Sequence, residues 1–180
     1  MPPERARVIA RSAVISADQN YRYRLTRTLD KGAGSVVFIM LNPSTADADI
    51  DDPTIRRCLG FAEAWGYAEV VVVNLFSWRA TQPSALQLVS DPVGEETARH
   101  LEAAASEAGL IVCAWGAHGG FMARSLHVRQ LLAQAGHAVH HLGLTQAGEP
   151  RHPLYLKGDT VPQPWIFAGN HEGIALSLPA

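Results

Sequence analysis

Apolar, β-branched runs separated by stretches of helical period recur along this chain. Residues 35–41, Ser-Val-Val-Phe-Ile-Met-Leu, show no polar alternation, the pattern of a strand buried on both faces. Residues 69–75 and 110–114 repeat that pattern, and 138–142 form a last, shorter run. Asp52 before Pro53 is a favourable N-cap and first-turn pair, which predicts a helix from there to about Trp65, with Gly66 as its stop. Further helices are expected over 94–107, ended by Gly109, and over 120–135, closed by Gly136. Ahead of these, residues 7–15 and 21–29 read as strands. In Tyr21-Arg22-Tyr23-Arg24-Leu25 the apolar and charged positions alternate with the period of a half-exposed antiparallel strand.

Strand–helix alternation of this kind predicts a three-layer α/β/α domain with a central, mostly parallel sheet of about four strands. The N-terminal antiparallel pair would form an edge or a flanking ribbon. From Thr145 onward glycine and proline dominate, and the segment after Pro162 is expected to be irregular.

Composition narrows the function classes. The chain has 180 residues, 47% of them hydrophobic, which suits one domain with a substantial core. A net charge of -2 gives no global electrostatic case for nucleic acid, so any basic surface must be local. Cys58 and Cys113 make no disulfide framework, and no Cys-x-x-Cys suggests a metal. The N-terminus lacks the apolar stretch of a signal peptide, and no run approaches a membrane span. A soluble, cytoplasmic monomer without a cofactor is the expectation.

Polar residues stand at the ends of the apolar runs: Asn42-Pro43-Ser44, Asn74, Trp115-Gly116 and, after a longer loop, Arg151-His152-Pro153-Leu154. Open α/β sheets keep their ligands beyond the carboxyl ends of their strands. These motifs, with Ser77-Trp78-Arg79-Ala80-Thr81-Gln82-Pro83, resemble the uracil-DNA glycosylase superfamily over residues 35–156 and in the same order. More narrowly, Leu-Asn-Pro-Ser-Thr-Ala-Asp, Asn-Leu-Phe, Ala-Trp-Gly and Arg-His-Pro-Leu-Tyr-Leu look like the signature of an uncharacterised bacterial domain family.

The resemblance implies removal of a deaminated or damaged base from DNA, with Asn42 and His152 as catalytic residues. Asn74 would recognise the base, helped by Pro43, Ser44, Phe61 and Trp115. Phe61 is the first aromatic after the opening motif, and so the candidate to stack on the base. Leu154 or Tyr155 would act as a wedge in the duplex. Arg56, Arg57, Arg79, Arg151 and Lys157 would form a basic rim for DNA.

The chemistry is consistent on its own terms. Glycosidic cleavage leaves negative charge on the departing base, and a neutral imidazole at His152 would stabilise it. Asn74 offers a carbonyl and an amide to the N3–H and O4 of uracil. Asn42 accepts no proton near neutrality, but it can orient the attacking water.

Other readings stand beside this one. Asn-Pro also opens turns, Asn74 also caps a sheet edge, and Trp115 also fills a core. His140 and His141 point to opposite faces of a strand and do not readily share a metal ion. Cys113 with His118 suggests a thiol nucleophile, yet Cys113 sits inside an apolar run. Asp47, Asp49, Asp51 and Asp52 oppose a DNA phosphate, and point instead to a divalent ion or to a free nucleotide. A small-nucleotide hydrolase and a non-catalytic binding module are therefore the two rivals.

Overall fold

The computed structural model describes residues 1–166. Ten elements build one sheet and its cover: β1 (Val8–Ile15), β2 (Arg22–Leu29), β3 (Ser35–Met40), α1 (Pro53–Trp65), β4 (Glu69–Asn74), α2 (Thr97–Glu107), β5 (Leu110–Cys113), α3 (Arg124–Gln134), β6 (His140–His141) and β7 (Gln163–Pro164). The class is α/β.

The sheet is larger and more mixed than the expected one of about four strands. Seven strands lie in the order β1-β2-β4-β3-β5-β6-β7. β3 pairs in parallel with β4 and β5, and β5 with β6. β1–β2, β2–β4 and β6–β7 are antiparallel. The N-terminal pair is continuous with the rest through Leu25↔Val72 and its neighbours. β7 falls within the stretch expected to be irregular; residues 167–180 of that stretch lie outside the described residues.

Burial on both faces explains the runs without alternation. Val36, Phe38 and Met40 pack against Ile55, Cys58, Phe61 and Ala62 of α1. Val37 and Ile39 face the opposite way, with Leu101, Ala104 and Ala105 of α2 and Val128 and Leu132 of α3. α1 has the expected ends. Asp52 accepts the Ile55 N–H at 2.9 Å, and Gly66 turns left-handed at φ 83°.

Other boundaries move for local reasons. Gly94 has φ +90°, so α2 starts at Thr97 instead. The third helix is preceded by a 3₁₀ stretch, Ala117–Ala123, and its start is displaced to Arg124 by left-handed Met122 and Ala123 at φ 54° and 55°. β6 keeps only two of its five expected residues.

The alternation in β2 misleads in one respect. Its charged positions were expected to face water, yet Arg22 is 2% exposed and Arg27 fully buried. The acidic loop folds over this strand. Arg27 Nε donates to Asp51 at 2.8 Å, and Nη2 donates to the Asp47 carbonyl at 2.6 Å. Asp51 also takes Arg11 at 2.9 Å, and Asp47 accepts two backbone N–H groups of its own turn. Asp51 is held below the ordinary carboxylate range by these arginines, against the opposing effect of its burial. Three of the four acids thus build the loop and cap the helix, and no group of three metal-binding side chains occurs among the described residues.

Both cysteines are buried, and burial pushes their thiols up. Cys113 is a core residue rather than a nucleophile paired with the exposed His118. Among the described residues no helix is long and apolar enough to cross a membrane.

Candidate functional site

β4, β3 and β5 run in parallel, with α1 returning over one face and α2 over the other. The connection from β3 thus runs to β4 on one side, and the next one crosses back over β3 to β5 on the other, a reversal that opens a crevice at the carboxyl ends of strands. A cavity of about 540 Å³ lies there. Met40, Leu41 and Asn42 enter it from β3, Val72 and Asn74 from β4, and Trp115 to His118 from the exit of β5. His152 and Leu154 close it from the loop beyond β6, while Arg22, Asp52 and Thr54 form the side toward β2 and α1.

Asn74 is the residue that marks this space as a site. It is 1% exposed, and neither its amide nitrogen nor its carbonyl oxygen has a hydrogen-bond partner. A buried polar group left so loses its hydration without return, at about 1–3 kcal/mol. The register places it opposite Met40 on the central strand, at the cavity floor.

Asn42 is arranged differently. Its amide nitrogen donates to the carbonyls of Pro43 at 3.0 Å and Ala80 at 2.8 Å. Those two acceptors fix the flip of the amide and leave Oδ1 as the end without a described partner. Pro43 itself is buried, and its carbonyl also accepts the Ala80 N–H, so it serves the loop rather than the cavity wall. Ser44 lies in the wall.

His152 has a defined tautomer. Its Nδ1 accepts the Leu154 N–H at 3.2 Å, so the ring proton of the neutral imidazole sits on Nε2. Burial lowers its pKa below the usual histidine value, opposed by the negative charge of Asp52. The ring is therefore a neutral donor at pH 7.

The remaining expected residues divide. Arg151, Leu154 and Tyr155 line the cavity, and Tyr155 is 81% exposed at its mouth. Trp115 borders it, but the indole N–H is taken by Glu149 and the ring packs on Trp165 at 5.6 Å. That makes its side chain a core group under Gly119 rather than a hydrogen-bonding ligand group.

Phe61 does not reach the cavity. Its place three residues after Cys58 turns it onto the sheet-facing side of α1, where it stacks on Trp65 at 5.2 Å. Among the described residues, Trp115 and Tyr155 are the Trp, Tyr or Phe side chains that line the cavity, and Tyr155 is exposed. Of the basic rim, Arg56 donates to the Asp51 carbonyl, Arg57 lies over the Phe61 ring at 5.1 Å, and Arg79 donates to the Gln19 carbonyl. These three and the exposed Lys157 stand outside the cavity wall.

Arg22 was not expected here. Its Nη1 donates to the Ala46 carbonyl at 3.0 Å, and its buried Nε has no partner. Its backbone N–H donates to Ser77, so it stands beside the exit of β4. Burial pushes its pKa down to about 10, which still leaves it charged at neutral pH. No sequence signal set it apart, because it keeps the apolar–charged alternation of β2 and is buried, like Arg27, by the loop that folds over the strand.

No curated protein and no solved structure matches the chain. A family model described as "Protein of unknown function" matches residues 22–154, from Arg22 to Leu154, and so spans the cavity wall almost completely. The chain belongs to that family, DUF1643.

Proposed function

We propose that the cavity receives a uracil-type nucleobase and that the protein hydrolyses the bond between that base and deoxyribose, with DNA as the carrier of the base. The observation that carries this reading is the buried, unpartnered amide of Asn74. The imide edge of uracil presents N3–H and O4 side by side, and it would satisfy both atoms of the amide at once.

The chemistry follows from the neighbours. Water oriented by Asn42 Oδ1 attacks C1′, the C1′–N1 bond breaks, and its electron pair leaves with the base. His152 Nε2–H donates to the carbonyl where that charge collects, and the proton given up by the water finally neutralises the base. No described residue fixes the flip of Asn74, so its amide can also present the order that cytosine needs. Preference for uracil then rests on the leaving group, because an imide spreads the charge over two carbonyls. Leu154 and the exposed Tyr155 suit the wedge that an extruded base requires.

A second reading keeps the reaction but takes a small nucleotide as substrate. Arg22 favours it, since a cation inside the cavity matches an anion that enters with the ligand.

The test is single-turnover base release from single and double strands carrying uracil, hypoxanthine or a mismatch. Wild type should release uracil, and His152→Ala should be about 10²–10³-fold slower, as for loss of one oxyanion donor. Equal rates for both proteins would remove His152 from the mechanism. Binding without release in every case would make the protein a binding module.

A further inference from the structure

The base-recognition reading leaves one part of the cavity without an occupant. On the side toward α1 stands Arg22, 2% exposed, with a buried Nε that has no acceptor. Next to it is the N-terminus of a thirteen-residue helix, with Asp52, Thr54 and Ile55 in the wall. Ser44 and Thr54 also lie there, and their hydroxyls make no hydrogen bond to any described residue. A guanidinium with an unpartnered Nε–H, a helix N-terminus and two hydroxyls without partners are donors of the kind that hold a phosphate.

Charges of both signs surround Arg22. Asp52 is negative, but its carboxylate caps Ile55, and no ion pair joins it to Arg22. Arg27 and Arg79 add positive charge, Arg27 being itself paired with Asp51, and the buried Cys58 thiol is neutral. The balance favours an anion, and Asp52 moderates it.

We infer that Arg22, the N-terminus of α1, Ser44 and Thr54 form an anion subsite that takes a phosphate of the same nucleotide whose base faces Asn74. The subsite rests on the base-recognition reading for the identity of that nucleotide. A cavity of about 540 Å³ has room for base, sugar and phosphate together. The phosphate has two possible sources, a free monophosphate or a phosphodiester flanking the base in a strand, and the chemistry at Arg22 is common to both.

Calorimetric titration of the full chain carrying His152→Ala, which slows turnover by about 10²–10³-fold, tests this. The probes are deoxyuridine, its 5′- and 3′-monophosphates, and inorganic phosphate. One monophosphate should bind about 10- to 100-fold tighter than deoxyuridine, the value of a charge-assisted hydrogen bond. Arg22→Gln should remove that advantage and leave deoxyuridine binding unchanged. Arg22→Lys, which keeps the charge, should retain part of it. Asp52→Asn, which keeps the cap and removes the opposing charge, should enlarge it.

Equal binding of nucleoside and both monophosphates would overturn the subsite, as would an advantage that survives Arg22→Gln. If Arg22→Gln fails to fold, Arg22→Lys and Asp52→Asn decide the matter, and an unchanged advantage in both overturns it. A strand with a methylphosphonate beside uracil separates the sources: loss of affinity in the Arg22 protein alone assigns the subsite to a strand phosphodiester. If Asn74→Leu binds the monophosphate as tightly as before, and no better than inorganic phosphate, the base reading fails while the subsite stands.

Discussion

Asn74 sets stability against function in a single side chain. Its unpartnered amide costs free energy in the empty protein, and an apolar side chain of similar shape would not. Asn74→Leu should therefore raise the unfolding free energy by about 1–2 kcal/mol in a denaturant titration while abolishing ligand binding. A less stable Asn74→Leu protein would show that the amide already has a partner in the empty cavity. His152 makes a second residue-scale prediction, with a definite sign. Its folded-state pKa is lowered, so the neutral donor is present above the ordinary histidine value of about 6.5 and persists somewhat below it. Base release should be flat from there to pH 8 and fall on acidification. The stability linked to His152 follows the same course, full above the unfolded-state value and lost as the pH falls through it toward the folded one. A pH–rate profile that rises on acidification would contradict the neutral donor.

At the scale of elements, what could be read from the sequence depended on how far away the deciding partner lay. The runs of β3, β4 and β5 were legible because burial on both faces removes alternation, and α1 because its cap, proline and terminal glycine are all local. Asn42, Asn74 and His152 were legible as polar residues at the ends of such runs. Arg22 and Arg27 were not, because what buries them is a loop about 24 residues further along the chain. Phe61 was misplaced although its helical spacing from Ile55 and Cys58 already put it on the sheet side. The exit of β5 provides the element-scale prediction. A Cβ at Gly119 would clash with Trp115 Cδ1, and the indole is held by Glu149 and backed by Trp165. Gly119→Ala should therefore cost about 1–3 kcal/mol in thermal or denaturant unfolding, as overpacking does. An unchanged midpoint would mean that the 3₁₀ stretch moves freely away from the indole.

Charge is the property that belongs to the whole molecule, and it bears directly on the choice between polymer and small nucleotide. The net charge is -2, and most cations near the cavity already have intramolecular partners. Arg56 and Arg79 hold backbone carbonyls, Arg57 covers Phe61, and Arg27 is buried with Asp51. Arg151 and Lys157, on either side of Tyr155, are exposed and make no side-chain hydrogen bond or ion pair among the described residues. Each phosphate neutralised by a cation contributes about 0.7 to the logarithmic salt slope for a single strand, so these two surface contacts predict a slope of about -1.4, and a strand phosphodiester at Arg22 would make it about -2.1. Binding of a uracil-containing single strand, followed by fluorescence anisotropy from low to moderate salt, measures it. Arg151→Gln should lower the slope by about 0.7 and weaken all strands alike, because a phosphate contact carries no sequence information. A slope several times steeper would require a basic surface that the described residues do not form. A slope near the expected one, with a tighter nucleoside monophosphate, would identify recognition confined to the cavity, where Asn74 meets the base and Arg22 its phosphate.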